Sequence, residues 1–311
     1  MEEAPLYNDL AEGPEAGRAY WVKAADGVRL RVGYWPGGDK GTVLLFPGRT
    51  EYVEKYGRAA TDLLALGYST MTIDWRGQGL ADRLADDAML GHVDSFSDYQ
   101  LDIAAMTNVA DTLNCPGPRF LMTHSMGGCI GLRALHNGLE VNAAAFSGPM
   151  WGLAMAPHIR PVAGPLSWFM DALGKGKTFA PGTIAETYVK TAPFEDNMLT
   201  TDADMYAYMQ RQAKAHPEMT LGGPSLSWLH EALVETAALV QNKPPPTPCV
   251  TFLGGAERIV DARPVHKVMA QWQGGHLEIV PNAEHEIIME NPETRAAFFA
   301  AAGKLFSKYP V

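Results

Sequence analysis

The sequence predicts an α/β fold, a mainly parallel sheet flanked by helices, with a helical cap inserted between two of its strands. Three observations carry that expectation. Short apolar runs alternate with stretches of helical periodicity from residue 42 to 146 and again from 226 to 306, the rhythm of βαβ units. The run TVLLF at 42–46 is apolar almost without interruption, as a strand covered on both faces should be. From 149 to 224 the alternation stops: Met, Trp, Pro and Gly are frequent, no buried-strand run occurs, and the helical pieces at 166–173 and 198–214 do not continue the pattern. The expected domains are a core of residues 19–148 and 225–311, a cap or lid of 149–224, and a loose, flexible arm over the acidic, Gly- and Pro-containing residues 1–18.

Taken in order, residues 20–23 and 30–34 alternate around Asp26-Gly27 and should pair as a hairpin. The strand at 42–46 ends in Pro47-Gly48-Arg49, and a helix over 56–66 and a strand over 69–73 follow. Asp74-Trp75-Arg76-Gly77-Gln78-Gly79 is a loop that lacks G-K-[ST], so it does not read as a phosphate loop; Asp74 and Arg76 are expected to stiffen it. Helical periodicity returns at 96–113, an apolar run at 119–122 makes the next strand, and 141–146 continues the sheet. Beyond the cap come a helix at 226–241, a Pro-rich link at 243–248, a strand at 249–253, a helix at 264–272, a strand at 276–280 and a last helix at 292–306.

Composition excludes several classes. A chain of 311 residues with 47% hydrophobic content and ordinary charge is a soluble globular protein with a substantial core. A net charge of -10 without clustered Lys or Arg argues against nucleic acid and predicts no strong pull toward anionic membranes. Cys115, Cys129 and Cys249 are odd in number and widely spaced, so they read as reduced thiols of a cytoplasmic protein, not as a disulfide framework or metal site. The acidic N-terminus has no apolar h-region, and no run of about 18 apolar residues exists to span a membrane. No cofactor, metal or protein partner is implied.

The chemistry centres on FLMTHSMGGCI at 120–130, where a strand runs through a sharp turn into a helix. A serine on such a turn keeps its Oγ exposed above the sheet only if its neighbours are small, and Gly127 and Gly128 meet that need. Thr123 stands where the pattern G-x-S-x-G has glycine. Serine alone is a poor nucleophile at neutral pH; it needs a base, and the base needs an orienting carboxylate. In a doubly wound sheet such groups sit on loops beyond the carboxyl ends of strands. Two late loops supply them in the order Ser, acid, His: GGAERIVD at 254–261 and PNAEHE at 281–286. The expected assignment is Ser125 as nucleophile, His285 as base and then acid, and Glu257 as the carboxylate. Asp261 is the rival acid, its other reading being a helix cap. The backbone N–H groups of Met126 and Arg49 are the expected oxyanion donors. His124 should face away from Ser125.

With these residues in view, the chain resembles the Ser-His-Asp/Glu lipid hydrolases of the α/β-hydrolase fold, the group of monoglyceride lipases and lysophospholipases. The resemblance runs from about Tyr20 to the C-terminus. It rests on Pro-Gly-Arg-Thr-Glu at 47–51, Asp-Trp-Arg-Gly-Gln-Gly at 74–79, Gly-His-Val at 91–93 with Phe96 and Asp98-Tyr99, His-Ser-Met-Gly-Gly at 124–128, Ala-Glu-Arg-Ile-Val-Asp at 256–261, and His285-Glu286. The nearest look is to the bacterial inner-membrane lysophospholipases, through Pro-Gly-Arg in place of the commoner His-Gly, the glutamate of the acid loop, and Gly222-Gly223-Pro224-Ser225 with Trp228. Thr123 and Ala81, where a Ser is usual, depart from the group.

The resemblance implies a serine esterase that cleaves single-chain acylglycerol lipids, lysophospholipids above all, through an acyl-enzyme on Ser125. Met150, Trp151, Trp168 and Phe169 of the cap suit a fatty acyl chain, their bland reading being the cap's own core. Arg160, Lys175 and Lys177 are candidates to meet a phosphate head group, and the cap to touch the inner face of the cytoplasmic membrane. The alternatives are a monoacylglycerol lipase or general carboxylesterase; a proline iminopeptidase with Glu186, Glu195 or Asp196 holding the substrate ammonium; and a catalytically dead ligand-binding relative, against which the complete set Ser125, Glu257 and His285 speaks.

Overall fold

The structure, a computed structural model, describes residues 1–310 apart from 157 and 159, and describes no side chain for 160–163, 171 and 172. Arg160, a head-group candidate, therefore lies outside the described side chains.

The strands are β1 (Glu2–Ala4), β2 (Arg18–Lys23), β3 (Arg29–Trp35), β4 (Thr42–Phe46), β5 (Ser69–Asp74), β6 (Arg119–His124), β7 (Ala144–Ser147), β8 (Cys249–Gly254) and β9 (Gly275–Val280). Among the described residues they form one sheet in the order β1-β2-β3-β5-β4-β6-β7-β8-β9. From β5 onward in that order every pairing is parallel, while β1, β2 and β3 join antiparallel and dock on β5. The hairpin turns at Asp26-Gly27 as its sequence predicts.

β4 shows why a continuous apolar run marks an inner strand. Its side chains alternate between faces, and all five residues are buried. Val43 and Leu45 pack with Phe120, Met122 and the C-terminal helix residues Phe298 and Phe306. Leu44 and Phe46 pack on the opposite side with Ile73, Trp75 and Leu121. β9, by contrast, closes the sheet as an edge and carries exposed His276 and Glu278, polar side chains that discourage pairing with another chain.

Residues 1–18 do not form the loose arm expected of them. β1 pairs with β2, and the Ala11 carbonyl accepts from Tyr208 Oη at 2.7 Å. The buried Arg31 guanidinium donates to the Pro5 carbonyl at 2.9 Å. These anchors engage backbone groups, so they leave no apolar pattern in the sequence.

Between β7 and β8 the chain inserts helices, among them Arg160–Ala172 and Ala203–Ala215, before Leu226–Leu239 returns it to the sheet. The helix expected from 198 starts at Ala203, because Asp202 caps it by accepting from the Met205 N–H at 2.8 Å. The loops after β4, β6, β8 and β9 all leave from carboxyl ends of parallel strands, and this brings distant segments to one edge of the sheet.

Candidate active site

β6 delivers Ser125 directly into the helix Met126–His136, at φ 50 and ψ -117. A non-glycine residue in that region is strained, and such strain persists only where the surroundings impose it. Here the imposing contact is visible: a Cβ on Gly127 would lie 2.1 Å from the Phe46 carbonyl oxygen, so only glycine lets the helix start this close to β4. The Ser125 carbonyl accepts from Gly128 N–H at 2.8 Å and Met150 N–H at 2.9 Å. Thr123, the departure from the usual pattern, is fully buried in β6.

His285 follows β9, and its Nδ1 lies 2.7 Å from Glu257 Oε2. Glu257 follows β8, and its Oε1 accepts from the N–H groups of Ile259 at 2.7 Å and Val260 at 3.0 Å. Burial alone would raise the Glu257 pKa, but His285 and the two amides together hold the carboxyl below the usual range. Asp261 points elsewhere: it caps the helix Ala262–Met269 through the Arg263 N–H at 3.1 Å and pairs with the Arg263 guanidinium at 2.8 Å. Among the described residues, no acceptor in the chain engages the backbone N–H of Met126 or of Arg49.

Behind the pair lies a buried ionic cluster that sequence reading missed. Lys55 Nζ sits 2.6 Å from Glu51 Oε1 and 2.6 Å from Glu286 Oε1. Glu51 Oε2 also accepts from Gly48 N–H and Tyr56 Oη. His124 does not engage Ser125; its Nε2 is 3.3 Å from Glu286 Oε2, and its ring lies 4.8 Å from that of His285. Burial opposes charge at Glu286, yet Lys55 and then His124 hold its carboxyl far below the ordinary range, and Glu286 and Glu51 in turn raise His124. Glu51, His124 and Glu286 are grouped closely enough to suggest a metal site, but Lys55 already supplies the cation between the two carboxylates. The cluster ties the Gly48-Arg49 turn to the His285 loop. The loop at 74–79 braces the same turn, with Trp75 Nε1 donating to the Pro47 carbonyl at 2.9 Å and Gln78 Oε1 accepting from Thr50 N–H at 3.0 Å.

Ser125 and His285 open into a cavity of about 420 Å³ whose apolar lining includes Ile184, Val189, Met198, Leu199, Met209 and Leu221. The four expected acyl-chain residues are not on that lining. Met150 and Trp151 are core: Trp151 Nε1 donates to the Gly128 carbonyl at 3.1 Å and its ring stacks on Trp272, so both residues support the serine turn from below. Trp168 and Phe169 project outward, 59% and 53% exposed. Residue type alone does not say which surface a side chain faces, and these four side chains face the core or the exterior. Of the acids proposed to hold an ammonium, Glu186 lines the cavity, while Glu195 and Asp196 are exposed away from it.

A mostly parallel sheet with helices on both sides and a serine turn at the end of an inner strand defines an α/β-hydrolase. The chain belongs to the family described as serine aminopeptidase, S33, whose model matches residues 37–292. It is 30% identical to lysophospholipase L2 of Escherichia coli over 289 residues, covering 86% of this chain and 80% of the relative. It is 29% identical to a probable lysophospholipase L2 of Haemophilus influenzae, covering 81% and 79%. The fold is also similar to that of a soluble variant of monoglyceride lipase from Saccharomyces cerevisiae, solved with a substrate analog, with a TM-score of 0.72 at 22% identity over 93% of this chain and 95% of that one.

Proposed function

We propose that the chain is a serine hydrolase that cleaves the carboxylic ester of a single-chain acylglycerol lipid, a lysophospholipid above all, through an acyl-enzyme on Ser125. The observation that carries this reading is the His285–Glu257 pair, 2.7 Å apart, opening with Ser125 into one largely apolar cavity. The names of the bacterial relatives support the choice of lipid.

In this mechanism the Ser125 hydroxyl adds to the ester carbonyl carbon as its proton passes to His285 Nε2. Glu257 holds the Nδ1 proton and stabilises the imidazolium. The N–H groups of Met126 and Arg49 receive the developing oxyanion. The tetrahedral adduct collapses with loss of the glycerol alcohol, which takes the proton from His285. Water then adds to the acyl-enzyme by the same route and releases the fatty acid, restoring Ser125. No step calls for a cofactor or metal.

Residues 149–224 act as the lid over this site, since 182–184, 186–189, 191, 198–199, 209, 213 and 220–224 supply much of the cavity wall. The same reading puts the protein in the cytoplasm with its lid against the inner face of the membrane, supported by the exposed Leu166, Trp168, Phe169 and Leu173. Among the described residues no helix is long and apolar enough to cross a membrane. The family description and Glu186 in the lining favour a second reading, an aminopeptidase whose substrate ammonium meets that carboxylate.

Purified protein assayed side by side on lysophospholipid, monoacylglycerol, p-nitrophenyl esters and prolyl amides separates the two. Turnover of the long-chain esters, with fluorophosphonate labelling lost in Ser125→Ala, is the expected result. Cleavage of prolyl amides with none of the lipid esters would replace the first reading by the second.

A further inference from the structure

The charged groups that line the cavity are matched, with one exception. Lys55 lies between Glu51 and Glu286, His124 adjoins Glu286, and Glu186 lies 3.7 Å from Lys190. Arg49 has no carboxylate in ion-pair range among the described residues. Its Nη2 donates to the Gly222 carbonyl, and its Cζ stands 5.3 Å from the centre of the Trp228 ring. Among the described residues its Nε, sealed from solvent, donates to nothing, and Nη2 is the guanidinium nitrogen that finds an acceptor. A guanidinium carries five N–H donors in a planar fork, so most of this one's capacity is unused. Burial pulls its pKa down to about 10, which still leaves it charged at neutral pH. A desolvated cation short of acceptors is costly for a protein to keep, and the cost is relieved when an anion binds.

We infer that the Arg49 side chain reads the head group: the preferred substrate carries a phosphodiester one glycerol unit away from the scissile ester, and the Arg49 guanidinium binds it. This rests on the esterase reading and deepens it by assigning the head-group contact to one side chain. The backbone N–H of Arg49 faces the carbonyl oxygen in that reading, and its side chain reaches a few bonds further, as the glycerol does between ester and phosphate. Planar N–H pairs suit phosphate oxygens better than a point charge does. Lys175 and Lys177, the sequence candidates for this task, are not on the cavity lining, and Lys177 Nζ donates to the Leu84 carbonyl at 3.1 Å.

The test compares kcat/KM for lauroyl lysophosphatidylglycerol and monolauroylglycerol, equal in acyl chain, in the wild type, Arg49→Gln and Arg49→Lys. The wild type should favour the phosphate-bearing ester by about 10- to 100-fold, the worth of a charge-assisted contact. Arg49→Gln should erase that preference chiefly through KM, and Arg49→Lys should restore part of it. A second arm measures calorimetric binding of dodecyl phosphate, laurate and dodecanol to Ser125→Ala protein with and without Arg49→Lys; dodecyl phosphate should bind best and weaken on substitution. That arm decides the matter even if Arg49→Gln does not fold.

Equal turnover of both esters by the wild type, or an equal loss on both in Arg49→Gln, overturns the inference and leaves the esterase reading standing. Laurate binding as tightly as dodecyl phosphate reassigns Arg49 to the carboxylate of the released fatty acid and overturns it as well. If neither ester is cleaved and prolyl amides are, the esterase reading itself has failed.

Discussion

Glu257→Gln is the substitution that most directly probes how the imidazole is held. Both carboxylate oxygens are in use, Oε1 by the Ile259 and Val260 N–H groups and Oε2 by His285 Nδ1 at 2.7 Å. An amide has one acceptor oxygen. If that oxygen keeps the two backbone donors, the NH2 faces His285 and drives the ring proton to Nε2, where it blocks acceptance of the Ser125 proton. If the amide turns over, its NH2 meets the two N–H groups instead. The second orientation sets donors against two buried donors, so the first prevails and the productive tautomer is lost; kcat should fall by about 10⁴, the size found when such a carboxylate is made an amide. That is about 5.5 kcal/mol of barrier. Asp261→Asn preserves a good helix cap, so it should leave kcat within about twofold and cost under ~1 kcal/mol of stability. Steady-state hydrolysis of p-nitrophenyl laurate, with thermal melts to show that both variants fold, makes the comparison. Retention of more than a tenth of kcat in Glu257→Gln, or a greater loss in Asp261→Asn, would refute the assignment of the acid.

Other outcomes follow from the buried cluster and the serine turn. Lys55→Met strands Glu51 and Glu286 without their cation and should destabilise by about 3–5 kcal/mol in urea unfolding; a loss below ~1 kcal/mol would mean the cluster is not ionic. Glu286 is depressed, so its contribution is complete above the ordinary Glu value near ~4.3 and disappears as pH falls through its folded pKa. His124 is raised, so its contribution is complete below ~6.5 and disappears as pH rises through its folded pKa. Melting temperature against pH should therefore fall on both sides, and His124→Asn should abolish the alkaline limb while only weakening the acid one, which Lys55 still supports. Gly127→Ala should abolish fluorophosphonate labelling, since its Cβ would displace the turn from the Phe46 carbonyl. Trp168→Ala with Phe169→Ala should leave turnover of soluble p-nitrophenyl butyrate within about twofold, as for exposed positions in general, and should reduce cosedimentation with lipid vesicles.

The parts of the fold legible in the sequence are those whose signal is local. β4 is readable because burial on both faces leaves consecutive apolar residues, and the turn at Ser125 because steric crowding demands Gly127. The loops holding Glu257 and His285 follow from strand ends. What stayed hidden depends on contacts across the chain. Glu51 and Lys55 look like an ordinary exposed i,i+4 pair, and nothing near them announces Glu286. The N-terminal segment is fixed by carbonyls that meet Arg31 and Tyr208, and carbonyls carry no sequence signal. Met150 and Trp151 follow β7 so closely that they fall under the serine turn, although their composition matches that of a lipid pocket.

The pairing of Lys55 with Glu286 also bears on synthesis. The partners are 231 positions apart, and a nascent chain emerges N-terminus first. While the ribosome still holds the last segment, the Gly48-Arg49 turn has a lysine with half its counter-ions, and Ser125 has no base. On the proposed mechanism, a fragment truncated before His285 carries the nucleophile without its base, and the turn beside it lacks Glu286. The residues that arm the serine in that mechanism are among the last to be translated.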